Sequence, residues 1–234
     1  MVAPPTRGAS PAPPRRSRPP RPRCICVCSF ALFGSAEDSG KVRGVKLAKR
    51  LVPRGAVWFL AGVSDEVIIR AAAREDVSGI LLIYNAAVRE PAAAYEDVPH
   101  TLVQREEWFD HFVGRNFPIL VAETDGVIVG WGSLGPHQER MGFRFTGAVA
   151  VYVTERSRRQ GIGGRLMEAL LRAGRERQLH VVLATIDAAN EPSLQLHARH
   201  GFTKAGMFSE AGCKFGEWRD VIYLQRKLDD RPVP

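Results

Sequence analysis

The sequence predicts a single α/β domain at residues 66–230, with a mixed, mostly antiparallel central sheet flanked by helices. Three observations predict it. Short apolar runs alternate with longer segments whose apolar residues recur every three or four positions. Asp125-Gly126 sits between two β-branched runs, the turn chemistry of a tight hairpin. A near-continuous apolar stretch at 146–154 runs through a glycine-rich loop directly into a helical pattern, so hairpins and crossovers share one sheet.

Taken in order, "EVIIRAA" (66–72) is a short β-branched strand. "REDVSGILLIYNAAVRE" (74–90) places Val77, Ile80, Leu81, Tyr84 and Val88 at helical spacing, and Pro91 ends it. "TLVQREEWFDHFVGR" (101–115) is a second amphipathic helix with Leu102, Trp108, Phe109 and Phe112 apolar. Two strands follow around Asp125-Gly126, then the apolar strand "TGAVAVYVT", which reads as central and buried. "GIGGRLMEALLRAGRERQL" (161–179) is a long helix with Ile162, Leu166, Leu170 and Ala173 in one stripe. "HVVLATID" is another buried strand, and "EPSLQLHARHG" is a short helix closed by Gly201. "FTKAGMF" (202–208) and "WRDVIYLQRKL" (218–228) are the last two strands.

The 33 Lys/Arg and 25 Asp/Glu leave a formal charge of +8, and the excess lies wholly within the first 66 residues. That segment also holds more than half of the 16 prolines, so residues 1–65 read as a disordered Pro/Arg-rich extension or presequence. A start codon wrongly assigned upstream of Val63 accounts for it best. The remainder is charge-balanced and carries no nucleic-acid footprint. No apolar run is long enough to span a membrane. Cys24, Cys26 and Cys28 are too tightly spaced for a zinc knuckle, and Cys213 stands apart, so no metal site or disulfide framework is expected and a cytoplasmic setting fits.

The chemistry is carried by Arg158-Arg159-Gln160-Gly161-Ile162-Gly163-Gly164, between a strand and a helix. The first N–H groups of a helix have no intrahelical partners and sit at the positive end of its dipole. Glycines let a phosphate approach them, and two arginines add charge at the rim. No Lys-Ser/Thr follows, which excludes a Walker loop, and the third glycine of a dinucleotide fingerprint is missing.

This loop resembles the acyl-CoA loop of the GCN5-related N-acetyltransferases. Asn190 followed by "SLQLHARHGF" resembles a second segment of that superfamily. "IYNAAV" (83–88), "REEWF" (105–109), "GFRF" (142–145), "VYV" (151–153) and "KFGEWRDV" (214–221) resemble the phosphinothricin and methionine sulfone/sulfoximine acetyltransferases, the likeness covering residues 66–228. It implies the GNAT fold, acetyl-CoA as co-substrate and a small amino-acid-like amine as acceptor; relatives of the subgroup are often dimers, and Trp218 and Tyr223 fit either a homodimer interface or core packing. It further implies that Val151, Tyr152 and Val153 line the pantetheine arm by completing a strand ladder. Arg159 through Gly164 would hold the pyrophosphate, with Arg158 at the rim and Asn190 further along the cofactor. His197 stands where many relatives carry a tyrosine that protonates the leaving thiolate.

Three positions depart from the subgroup, all on the acceptor side. The glutamate thought to act as base is Ala148 here, and Glu139, His137 and Glu96 are the candidates to replace it. A Trp-Arg-Pro-Phe-like segment becomes His137-Gln138-Glu139-Arg140, so Gln138 and Arg140 become the candidate substrate contacts, Arg140 for a carboxylate. The threonines of a Thr-Thr-Ala loop are Ala92 and Ala93. The alternatives are an acyl-CoA-binding module with weak or lost catalysis, favoured by Ala148, and a peptide or protein N-acetyltransferase.

Overall fold

The computed structural model describes residues 66–233. The expectations for residues 1–65, Cys24, Cys26 and Cys28 included, lie outside the described residues. The elements run β1 (Ile68–Ala71), α1 (Val77–Val88), α2 (Leu102–Gly114), β2 (Ile119–Thr124), β3 (Val127–Pro136), β4 (Thr146–Val153), α3 (Ile162–Glu176), β5 (Val181–Asp187), α4 (Glu191–Arg199), β6 (Thr203–Lys214) and β7 (Glu217–Lys227). This is the order read from the sequence, with three short 3-10 turns added at Arg74–Asp76, Met141–Phe143 and Glu155–Ser157.

One seven-stranded sheet has the order β1-β2-β3-β4-β5-β7-β6. Every pairing is antiparallel except β4 with β5, which α3 joins as a crossover. The β2–β3 hairpin turns at Asp125 and Gly126, both with positive φ, as its Asp-Gly pair requires.

Each face of the sheet carries one helical layer. Val77, Ile80, Tyr84 and Val88 of α1 and Phe109 and Phe112 of α2 bury Ile119, Val121 and Trp131 of the sheet. On the other face Met167, Leu170 and Leu171 of α3 pack with Leu134, Val182, Ala184 and Leu224. Phe112 presses so close to β3 that a Cβ at Gly135 would lie 2.7 Å from its ring, so glycine is the residue that lets α2 settle there. α2 begins in a reciprocal cap: the Gln104 amide donates to Thr101 Oγ1, and the Thr101 amide donates to Gln104 Oε1 at 2.8 Å.

Before α1, the Asp76 carboxylate accepts from both Arg70 guanidinium nitrogens, at 2.6 and 2.9 Å, and from the Ala73 amide at 2.8 Å. The Arg70 hydrogen bonds hold the Asp76 carboxyl below the usual carboxylate range. A carboxyl with a depressed folded pKa stabilises above its unfolded pKa, about 4, and loses that contribution as pH falls through the folded value. Asp76→Asn is expected to lower stability by about 2 kcal/mol at pH 7, since Arg70 is partly exposed. In urea denaturation the gap between the two proteins should close as pH falls below 4; a constant gap at pH 7 and pH 3 would contradict this assignment.

Two elements differ from the sequence reading. β6 continues past Phe208 to Lys214 and meets β7 at a turn whose Phe215 and Gly216 both have positive φ. Register shifts at Lys204/Gly206 and Phe208/Gly212 break the two-residue alternation there, which hid the second half of the strand. β4 is central but not buried throughout: Val151, Tyr152 and Val153 are half-exposed, because its neighbour leaves it.

Candidate active site

The parallel ladder between β4 and β5 covers only Thr146–Ala148 against Val181–Leu183. β4 then continues to Val153 on the β3 side alone, and β5 to Asp187 on the β7 side. The two strands diverge from Ala148 onward, making a wedge-shaped opening in the middle of the sheet. Antiparallel pairing sets Ala148, Ala150 and Tyr152 opposite Gly135, Ser133 and Trp131. Trp131 and Tyr152 both pack in the α1–α2 layer, so alternation puts Ala148 and Ala150 on that face too. Val149, Val151 and Val153 face α3.

Beyond the opening lies the glycine loop. Arg159 and Gly161 have φ of 61° and 80°, and Gly161 is the N-cap of α3. No side chain caps this end and the first turn has no acidic residue, so the positive end of α3 is uncompensated. The helix's first backbone bond is Arg165 N–H to Gly161 O, leaving the amides of 162–164 at its mouth. Ile162 is buried and anchors the turn. A Cβ at Gly161 would meet nothing within 4 Å, so the space over the loop is open. These groups fit a diphosphate. Arg158 donates to Val153 O at 3.3 Å and pairs with Glu90 at 2.5 Å.

Asn190 caps α4 by accepting from the Ser193 amide at 3.2 Å, and its Nδ2 donates to Ala92 O at 2.9 Å. The segment 89–97 is therefore tied to the glycine loop through Glu90 and to α4 through Ala92. The β6–β7 tip makes a third tie. Lys214 is buried, and its ammonium donates to Val88 O at 2.7 Å and to Glu96 O. The Phe215 amide donates to Asp97 Oδ1 at 3.2 Å. Together these three ties make 89–97 a strap near the opening on the α1 side.

Under the strap lies a polar group of which the sequence reading singled out only Glu96. Arg105 is buried, its guanidinium 3.9 Å from the Tyr84 ring centroid and 4.7 Å from that of Trp108. Tyr152 stacks on Trp131 at 4.8 Å and meets Tyr84 edge-on at 5.6 Å. Arg105 Nη2 lies 3.2 Å from His100 Nδ1. Arginine can only donate, so Nδ1 accepts and the imidazole proton sits on Nε2, facing Glu96 Oε2 at 2.5 Å. Burial opposes the charged form of Glu96, but hydrogen bonds from His100 and Tyr84 outweigh it and hold the carboxyl below the usual range. The one sequence signal for this group was Arg105 and Trp108 three residues apart within "REEWF", on one helix face.

The candidates for the acceptor side separate in space. Glu139 is exposed and paired with Arg115 beside α2. Gln138 is half-buried, and Arg140 is exposed where the chain enters the Met141–Phe143 turn. His137 extends the β3–β4 pairing by one residue, its amide donating to Thr146 O at 3.1 Å. His197 requires a correction. It is 4% exposed and packs edge-on against Phe202 at 4.9 Å. Its Nδ1 lies 2.8 Å from Ser193 O, an acceptor, so the proton sits there and Nε2 is left without a hydrogen-bond partner among the described residues. Burial pushes its pKa down. A neutral imidazole with its only proton bound to a carbonyl packs the core and is no proton donor. Among the described residues no group of His, Cys, Asp and Glu could hold a metal ion, and no helix is long and apolar enough to cross a membrane.

An opened parallel pair is followed by an uncapped, glycine-lined helix start able to receive a diphosphate. Residues 80–202 match the Acetyltransferase (GNAT) family, and the chain belongs to it. A methionine sulfoximine/methionine sulfone acetyltransferase of Pseudomonas paraeruginosa is 40% identical over 162 residues, 69% of this chain and 94% of that protein. A phosphinothricin N-acetyltransferase of Streptomyces viridochromogenes is 33% identical over 72% of this chain and 91% of its own. The structure of yncA from Salmonella typhimurium with acetyl-CoA superposes with a TM-score of 0.70 at 34% identity, covering 72% of this chain and 97% of that one.

Proposed function

We propose that the chain transfers an acetyl group from acetyl-CoA to the amine of a small amino-acid-like substrate of the phosphinothricin or methionine sulfoximine/sulfone type. The observation that carries this is the divergence of β4 from β5 at Ala148, with the uncapped start of α3 at its far end. Along the diverging edge Val151 and Val153 offer backbone groups to the amides of a pantetheine arm, while the amide and carbonyl of Tyr152 between them turn to Trp131 of β3. Arg158 through Gly164 receive the diphosphate, with Asn190 bordering the other side of the opening. A strand amide near Val151 polarises the thioester carbonyl. Much of the rate comes from holding amine and thioester together. Gln138 and Arg140 meet the carboxylate of the acceptor, the guanidinium binding it in a fork.

A second reading, an acyl-CoA-binding module with weak turnover, is favoured by Ala148, which leaves the wedge without the subgroup's carboxylate. Release of free thiol from acetyl-CoA, followed across amino-acid analogues, separates the two. Methionine sulfoximine or phosphinothricin is expected to drive release with saturation. Tight acetyl-CoA binding with no amine-dependent release would select the second reading.

The same reading includes a homodimer and a cytoplasmic setting. Met207, Phe208, Phe215 and Trp218 expose apolar surface on and beside the β6–β7 hairpin, and Tyr223 packs on Phe208 at 5.4 Å. Sedimentation at micromolar concentration should give twice the monomer mass.

A further inference from the structure

The reaction needs a base, because an amino acid presents its amine as an ammonium near neutral pH, and Ala148, where β4 parts from β5, supplies none. We propose that His137 is the general base of this chain. This rests on the acetyltransferase reading above.

The argument begins with the sheet. Gly135 lies directly opposite Ala148, on the face turned to α2. His137 is two residues further along the same strand line, and its amide bond to Thr146 O continues the ladder. Alternation returns its side chain to the face of Gly135 and Ala148. It is the diagonal cross-strand neighbour of Ala148, at a spacing of about 7–8 Å, within reach of a proton through one water. The imidazole rests edge-on against Phe143 at 5.5 Å, which fixes its plane.

The electrostatics agree. Burial pushes the His137 pKa below its ordinary value near 6.5, so the ring is neutral and able to accept at neutral pH. The charged groups around it come from three elements. His111 stands on α2 and Arg115 caps its C-terminal end, with Arg115 paired to Glu139 and His111 3.8 Å from the same carboxylate. Glu139 and Arg140 lie on its own loop. Arg144, from the following turn, lies over the Phe145 ring at 4.4 Å. The other two candidates are committed elsewhere. Glu139 belongs to Arg115, and Glu96 is held by His100 beside Tyr84, toward the Tyr152 end of β4, some four residues or about 13 Å along the strand from Ala148.

The step balances. His137, through water, takes one proton from the substrate ammonium and becomes an imidazolium. The freed amine nitrogen forms a bond to the thioester carbon. The carbon–sulfur bond breaks, and the thiolate leaves with the second proton of the attacking nitrogen. The imidazolium then returns its proton to solvent. The products are the acetamide, CoA thiol and one proton.

The test uses His137→Asn, alone and with Ala148→Glu, in the full chain. His137→Asn is expected to lower kcat about 10²- to 10⁴-fold while the acetyl-CoA Kd, measured by calorimetry, stays within threefold. In the parent, kcat/KM should rise with pH through a limb below 6.5, and that limb should vanish in His137→Asn. Adding Ala148→Glu should restore kcat at least tenfold and move the limb into the carboxylate range. A His137→Asn enzyme within threefold of the parent, or one that keeps the acid limb, overturns the proposal, as does a loss that Ala148→Glu leaves unrelieved. Should His137→Asn fail to bind acetyl-CoA, Ala148→Glu alone decides. A limb shifted toward acid supports the proposal and an unchanged profile overturns it. A parent enzyme silent toward every amine would instead sink the acetyltransferase reading.

Discussion

Gly161→Val is expected to weaken acetyl-CoA binding about 100-fold and leave the protein folded. Gly161 has φ of 80° at the N-cap of α3, and a side chain there costs about 1–2 kcal/mol of backbone strain. The open space above it means that little else in the apoprotein resists a larger residue. The larger effect falls on the ligand. A branched side chain would stand where the diphosphate approaches, and relief of the strain would turn the following amides away. Losing two hydrogen bonds to a charged group at about 1.5 kcal/mol each gives about 3 kcal/mol, or roughly 100-fold. Calorimetric titration measures the affinity and a thermal scan the fold. An unchanged Kd would show that the α3 N-terminus does not receive the diphosphate.

Arg105→Ala is expected to be the most destabilising single change on the acceptor side. The guanidinium is buried between Tyr84 and Trp108 and donates to His100. Its loss leaves a cavity among aromatic rings and removes the donor that fixes the His100 tautomer, and with it the orientation of Glu96. About 3 kcal/mol is the expected loss, which for a domain of this size lowers Tm by about 9 °C. Arg105→Lys should recover little of it, because an ammonium cannot lie flat between two rings while donating to His100 Nδ1. A scan within 2 °C of the parent for Arg105→Ala would mean that the rings close over the gap and that the guanidinium is dispensable.

These two sites show what the sequence made legible. Gly161 was readable because its chemistry is local: strand, glycines and helix start lie within a few residues, and the dipole argument needs no tertiary partner. The element order was readable for the same reason, since periodicity and the Asp125-Gly126 turn are local signals. Arg105 was not, because its meaning depends on Tyr84 of α1 and Trp131 of β3. The second half of β6 was missed because its bulges erase the alternation that marks a strand. His197 misled for a related reason: its position in the motif fits a proton donor, but its burial is a tertiary fact, and its Nδ1 proton is taken by Ser193 O one turn back in α4. The exposure of β4 was hidden by composition, because "VAVYV" looks the same whether a neighbouring strand covers it or leaves it.

The buried Lys214 tie carries a consequence for how the chain matures. Its ammonium meets Val88 O and Glu96 O across 126 and 118 residues of sequence. Contacts of such separation form late, because the intervening loop must close first. During synthesis the α1 end of the strap emerges long before the hairpin that anchors it. The acceptor wall is thus the last part of the molecule to be set. A chain that stops short of Lys214 also lacks β7, the partner of β5, so the strap and the β5 wall of the wedge are set together.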